Sequence, residues 1–226
     1  MTGTATPGTP GAPTEQPPVR LVVVSAGLGE PSSTRMLADR LAEATRLALD
    51  ERGLTAEVRT VELRDLAARI AHTFVTGFAA GELRDALDEV AAADGLIAVT
   101  PVFSASYSGL FKSFFDVLDK DTLVGKPVLF GATGGTPRHS LVLDHALRPL
   151  FSYLRAVTSP TAVYAATDDW AAADDGITPS LPGRIARAGG EFAGLLSPGR
   201  FSADGPEQEE VLPFEQQLAA LRLPEE

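Results

Sequence analysis

The sequence predicts an α/β domain: a three-layer, doubly wound sheet of five parallel strands in the order 2-1-3-4-5, with helices on both faces. Three observations predict it. Segments of strand character alternate with segments of helical periodicity five times over. The clearest strand signals are short apolar runs, such as Leu21-Val22-Val23-Val24, which suit strands buried on both faces. Clusters of Gly, Ser, Thr and Pro follow strands one, three and four. With right-handed crossovers, strands one and three are neighbours where the winding reverses, so these loops converge beyond the strand C-termini, where ligands bind in such sheets.

The elements follow in order. Leu21 to Arg35 (LVVVSAGLGEPSSTR) reads as strand, hydroxyl-rich loop and helix start. Leu37, Leu41, Ala44 and Ala48 then share one helical face, and Gly53 stops the helix. Ala56 to Leu63 is a second strand, nearer an edge because it carries charges. Leu66 to Phe78 contains a short helical turn followed by the apolar cluster Phe74, Val75 and Phe78. Glu82 to Ala92 is helical, with Leu83, Leu87 and Val90 on one face. Asp94 to Thr100 is the third strand, ended by Pro101, and Pro101 to Tyr107 reads as a loop. Gly109 to Leu118 is a helix with two adjoining apolar stripes, Leu110/Phe114/Val117 and Phe111/Phe115/Leu118, a face wide enough to predict burial on more than one side. Val128 to Ala132 is the fourth strand and runs into Thr133-Gly134-Gly135-Thr136-Pro137. Ser140 to Arg155 is helical, interrupted by Pro149, and Ala162 to Ala165 is the fifth strand. Helices around Ile185 to Leu196 and Val211 to Leu221 complete the chain.

Bulk properties narrow the function. The chain has 226 residues, 44% hydrophobic and 22% charged, which fits one globular domain with tails. Residues 1–18 form a Pro/Gly/Thr-rich arm expected to be disordered, 19–198 the domain, and 199–226 a C-terminal linker and helix. The arm lacks the basic start and apolar middle of a secretory signal, and no stretch reaches membrane-spanning length, so a cytoplasmic location without membrane contact is expected. A formal net charge of −11 argues against nucleic-acid binding. There is no cysteine, and three histidines without paired spacing predict no metal site.

The loop after strand one carries the chemistry. A helix start offers unpaired N–H groups and the positive end of a dipole, and Ser32, Ser33 and Thr34 add hydroxyls there. That arrangement suits a phosphate; equally, Ser32 could simply cap the helix. Three segments together resemble the NADPH-dependent FMN reductase family, which has the flavodoxin-like fold. They are Ser25 through Ser32-Ser33-Thr34, the run Thr100-Pro101-Val102-Phe103-Ser104-Ala105-Ser106-Tyr107-Ser108-Gly109, and the turn Thr133-Gly134-Gly135. The resemblance spans about Val19 to Ala165. Two positions depart from it: the first loop contains no arginine before Arg35, and Ser104-Ala105 stands where many relatives have Asn-Gly. The segment HSLVLDHALRPLFSYLRA looks like an actinobacterial branch whose members often serve flavin-dependent monooxygenases.

The resemblance implies an NAD(P)H-dependent flavin oxidoreductase using FMN and NADPH or NADH. It places Ser25, Ser32, Ser33 and Thr34 at the flavin phosphate, with Arg35 adding charge. Pro101, Val102, Phe103, Ser104 and Ala105 would run along the isoalloxazine ring, and Thr133, Gly134 and Gly135 would approach its pyrimidine side. Hydride transfer between two cofactors needs no protein acid or base, so no catalytic residue is predicted. A partner monooxygenase and a homodimer or tetramer are expected. Two other classes fit the same residues: a flavin-bound quinone or azo reductase, and a flavodoxin-type electron carrier. His139, beside Arg138, reads as a solvent-facing helix-start residue in preference to a nicotinamide-phosphate contact. His72 and His145 read as ordinary surface or packing residues, Asp168-Asp169-Trp170 as a surface turn and Asp174-Asp175 as a solvated pair.

Overall fold

The computed structural model describes residues 17–171 and 180–197. Most of the N-terminal arm, Asp174-Asp175, and the 199–226 segment with its expected helix lie outside the described residues.

Four strands form the body of the sheet: β1 (Val19–Ser25), β2 (Ala56–Glu62), β3 (Gly95–Phe103) and β5 (Pro127–Gly134). They pair in parallel in the order β2-β1-β3-β5. The short β4 (Ser106–Tyr107) folds back on β3 as an antiparallel hairpin. The fifth position is shared by two short strands, β6 (Val157–Thr158) and β7 (Val163–Ala166), which both pair with β5. Counted by position, this is the flavodoxin-like order 2-1-3-4-5 expected from the sequence.

The split of the last strand has a local cause. Val128 pairs with Thr158 and Gly131 with Val163, so the edge strand carries two more residues than β5 does between those pairs. Pro160 lies in that excess and has no N–H to offer a ladder. Arg148 closes the gap: its guanidinium donates to the carbonyls of Ser159 and Pro160 and lies 5.1 Å over the Phe130 ring.

Strand residues alternate between two cores, as period-two geometry requires. Leu21 and Val23 face α1 (Ser33–Asp50) and α6 (Leu181–Leu196). Val22 and Val24 face α2 (Leu63–Thr76), α3 (Glu82–Ala92), α4 (Gly109–Asp116) and α5 (Arg148–Tyr153). Both cores are sealed on one side by helices and on the other by the sheet, which explains why the strands read as unbroken apolar runs.

Three elements differ from the sequence expectation. The ambiguous stretch after strand two is a full helix, α2, that starts at Leu63 and ends at Gly77, whose φ of 77° gives a left-handed cap. Strand β3 does not stop at Pro101 but runs to Phe103. The expected helix after β5 begins with a 3-10 turn at Pro137–His139 and passes through a π-helical turn, Leu143–Leu147, before α5. Pro149 accounts for the last feature: its ring would press on the carbonyl four residues earlier, and a wider turn relieves that clash. The wide apolar face of α4 is largely consumed within the subunit. Phe111, Phe114 and Phe115 are buried, and Phe115 meets Phe151 edge-on at 5.3 Å.

Candidate functional site

The cleft exists because β3 outruns β1. The β1–β3 ladder ends at the pair Ser25–Val99, and the Ala26 amide makes one more bond to the Val99 carbonyl. Beyond that point the chain from β1 turns away, while β3 continues to Phe103 beside β5, pairing Pro101 with Thr133. One edge of β3 is thereby left open. Pro101 sits on this overhang, where its missing N–H interrupts no ladder to β1. The resulting cleft is about 320 Å³ in volume. Its walls are Leu28, Gly29 and Pro31 to Thr34 from the first loop, Pro101 to Phe103 from β3, Thr133 to Gly135 from β5, and Thr167 after β7.

Ser32 is the N-cap of α1: its Oγ accepts from the Arg35 amide at 3.1 Å. Capping does not exhaust the helix start: the cap satisfies one orphan donor and leaves the amides of Ser33 and Thr34 without an intrahelical acceptor. The loop folds tightly onto this cap. A Cβ at Gly27 would lie 2.0 Å from Ser32 Oγ, so a side chain there would push the capping hydroxyl aside. Thr34 is buried, and its hydroxyl is 2.8 Å from that of Thr133. Ser25 Oγ, at the end of β1, is buried and has no hydrogen-bond partner among the described residues.

Arg35 does not line the cleft. Its guanidinium is bound by Asp39 at 2.7 Å and by Glu62. The Asp39 hydrogen bond, with Glu62 behind it, holds the proton more firmly than usual. Glu62 also meets Arg64, which in turn holds Glu30 in the first loop. This chain of ion pairs braces the loop from outside, and no charged side chain is among the described residues lining the cleft.

Two hydrogen-bonded struts hold the other walls. The Thr100 hydroxyl, fully buried, accepts from the Ser108 amide at 3.0 Å, and Ser108 Oγ caps α4 through the Phe111 amide at 3.2 Å. Thr100 thus ties the β3–β4 hairpin to the helix that follows it. The hairpin turn is Ser104-Ala105, with φ of 49° and 65°. Positive φ at both central residues of a two-residue hairpin is the turn that Asn-Gly favours. On the β5 side, the Tyr164 hydroxyl donates to the Thr136 carbonyl at 2.7 Å, and a Cβ at Gly134 would lie 2.2 Å from that hydroxyl. Gly134 is therefore required by Tyr164 packing beneath it. Burial, and secondarily Asp169, pushes the Tyr164 phenol up.

Of the residues named from the sequence, Ser32, Ser33, Thr34, Pro101, Val102, Phe103, Thr133, Gly134 and Gly135 line one cleft. Ser25 lies buried at the end of β1, Arg35 points into its carboxylates, and Ser104 and Ala105 form the exposed turn above Phe103. Leu28, Gly29, Pro31 and Thr167 were missed. Thr167 was findable, since it follows the last strand on the same C-terminal edge. The Asp168–Trp170 turn is structural: Asp169 accepts from the Ala166 amide at 2.8 Å and pairs with Arg184 at 2.7 Å. No group of His, Cys, Asp and Glu suited to a metal occurs among the described residues.

The model of the NADPH-dependent FMN reductase family matches residues 19–171. The chain belongs to that family. The FMN reductase (NADPH) of Pseudomonas aeruginosa is 44% identical over 153 residues, covering 68% of this chain and 80% of that protein. The NADH-dependent FMN reductase SfnF of Pseudomonas fluorescens is 41% identical over 154 residues, with coverage of 68% and 80%. Among solved structures, an oxidoreductase from Corynebacterium diphtheriae is 48% identical, with a TM-score of 0.76, covering 79% of this chain and 97% of that one. Like its family, the chain is an NAD(P)H-dependent flavin oxidoreductase that works with FMN. The cleft fits this FMN reductase assignment chemically. A phosphate monoester needs donors, and the Ser33 and Thr34 amides and the Ser33 hydroxyl at the start of α1 are groups that would supply them. A flat aromatic ring needs apolar walls, and Pro101, Val102 and the half-exposed Phe103 and Leu28 supply those.

Proposed function

We propose that the enzyme takes FMN as an exchanging substrate, reduces it with NADPH or NADH, and releases it for a flavin-dependent monooxygenase. The observation that carries this reading is that the described residues lining the cleft include no charged side chain. A dianionic phosphate held by helix-start amides and hydroxyls gains charge-assisted hydrogen bonds but no bidentate arginine pair, the contact that would hold it more tightly. Arg35, the one cation near the loop in sequence, is already engaged by two carboxylates. Relatives named for NADPH and for NADH support use of either nucleotide.

In this reading Ser33 and Thr34 hold the phosphate, and Pro101 to Phe103 cover one side of the ring and exclude water from it. Gly134 and Gly135 stand against the pyrimidine edge, where backbone groups are the available partners. Bound FMN supplies the hydride acceptor for the nicotinamide. The protein's task is to stack the two rings in reach of one another, which the mouth between Leu28 and Phe103 leaves room for.

The test is the flavin content and kinetics of the purified protein. It should be nearly colourless, and NAD(P)H oxidation should rise with added FMN to a half-saturation point in the micromolar range. Protein that stays yellow through extended dialysis and gains nothing from added FMN would point to a flavin-bound quinone or azo reductase.

A further inference from the structure

The Thr34–Thr133 hydroxyl pair joins two walls of the cleft, the start of α1 and the end of β5. Thr34 belongs to the first turn of α1 and Thr133 to the end of β5; they are 99 residues apart in sequence and 2.8 Å apart in space. Their exposures are 2% and 4%, yet both border the cleft. Neither hydroxyl makes another hydrogen bond among the described residues. Two hydroxyls sharing one bond use one of their two protons. The other proton is left to be directed by whatever occupies the cleft.

We propose that Thr133 is a positioning residue for flavin phosphate, acting through Thr34: it donates to Thr34 Oγ and so turns the Thr34 proton toward the phosphate. This rests on the assignment of the cleft to FMN. An anion at the α1 start favours that direction of donation, because a hydrogen-bonded chain ending on a negative charge is polarised along its length. The reverse direction would present a lone pair of Thr34 to the anion. The location of Thr133 on the strand that turns into Gly134-Gly135 places it at the ring end, so side-chain logic alone would assign it to the ring. The hydroxyl pair assigns it to the phosphate.

Flavin fluorescence titrations with FMN and with riboflavin, which lacks the phosphate, separate the two roles. Thr133→Val keeps the shape and removes the hydroxyl. Its FMN dissociation constant should rise about 3- to 10-fold, the loss of one ordinary hydrogen bond. Riboflavin affinity should change by less than about 2-fold, since the bond removed serves the phosphate alone. Thr133→Ser should restore FMN binding, and adding T133V to Thr34→Val should cost nothing further. Unchanged FMN binding in T133V overturns the proposal, as does equal weakening of FMN and riboflavin, which would move Thr133 to the ring. Should T133V not fold, Thr133→Ala compared with T133S answers the same question. A wild-type protein that binds neither flavin would remove the FMN assignment itself, and this role with it.

Discussion

Hydroxyl groups and backbone amides line the α1 end of the cleft, with no charged side chain among the described lining residues, and the residue-scale predictions follow from that. Replacing Ser33 and Thr34 together with alanine should weaken FMN binding by about 1–3 kcal/mol in total, two hydrogen bonds at about 0.5–1.5 kcal/mol each. Fluorescence titration measures it, and an unchanged dissociation constant would remove the loop from the site. A second prediction concerns Tyr164, one of three tyrosines. Burial raises its pKa in the folded protein, so the unfolded chain releases that proton first as pH climbs through about 10. The unfolded state then binds fewer protons than the native one, and stability falls with rising pH in that window. In an ultraviolet titration of the native protein, Tyr164 should ionise above the ordinary range, and Tyr164→Phe should delete that late step. Much of this chemistry was legible in the sequence, because Ser, Thr and Gly clusters after parallel strands converge by topology alone. Arg35 shows the limit. Asp39 is one helical turn away and visible in sequence, but Glu62 lies 27 residues on and reaches Arg35 only because β2 ends beside α1.

Among the elements, the β3–β4 hairpin departs most from its local sequence preferences. Ser104 and Ala105 occupy left-handed conformations that cost a residue with a Cβ about 1–2 kcal/mol each. The hairpin survives because Thr100 grips the Ser108 amide on one side and the β3–β5 ladder holds the other. Ala105→Gly should therefore stabilise the protein by about 0.5–1 kcal/mol, the strain relieved less the extra freedom glycine gains on unfolding. A higher urea midpoint with unchanged slope would show it; a lower one would mean that the Ala105 methyl contributes packing that outweighs the strain. The sequence identified this segment by family pattern but read it as a loop, since Pro101 looks like a strand end. Only the neighbouring strand's early exit makes a proline acceptable there. The same reasoning explains the other misjudged elements. The π-helical turn before Pro149 and the edge strand divided at Pro160 follow from prolines that change the backbone pairing, which hydrophobic periodicity alone does not encode. The central strands and α1 were plain because burial on both faces leaves an unmistakable apolar run.

On the scale of the whole molecule, the question is what covers the apolar surface that folding leaves outside. The sequence pointed to α4 and to the cluster at the end of α2. The structure divides them: the α4 phenylalanines are internal, while Phe74, Val75 and Phe78 are 54%, 87% and 79% exposed. Phe78 borders a concave surface beside Arg69 and Gly81, and Arg69 pairs with Glu82 at 2.9 Å, giving the patch a polar rim. An apolar centre with such a rim is the usual anatomy of a protein contact. Burying Val75 and Phe78 would contribute about 1.5–3 kcal/mol each, enough that a second copy is a natural occupant. Each chain carries a net charge of −11, so two copies repel one another, and added salt screens that repulsion. A homodimer, or a pair of dimers, is therefore expected, with an association that tightens as ionic strength rises. Sedimentation at micromolar concentration should find it, and Val75→Glu with Phe78→Glu should give a folded monomer with native circular dichroism. A wild-type chain that sediments as a monomer at low and high salt alike would show that the α2 patch serves a different partner.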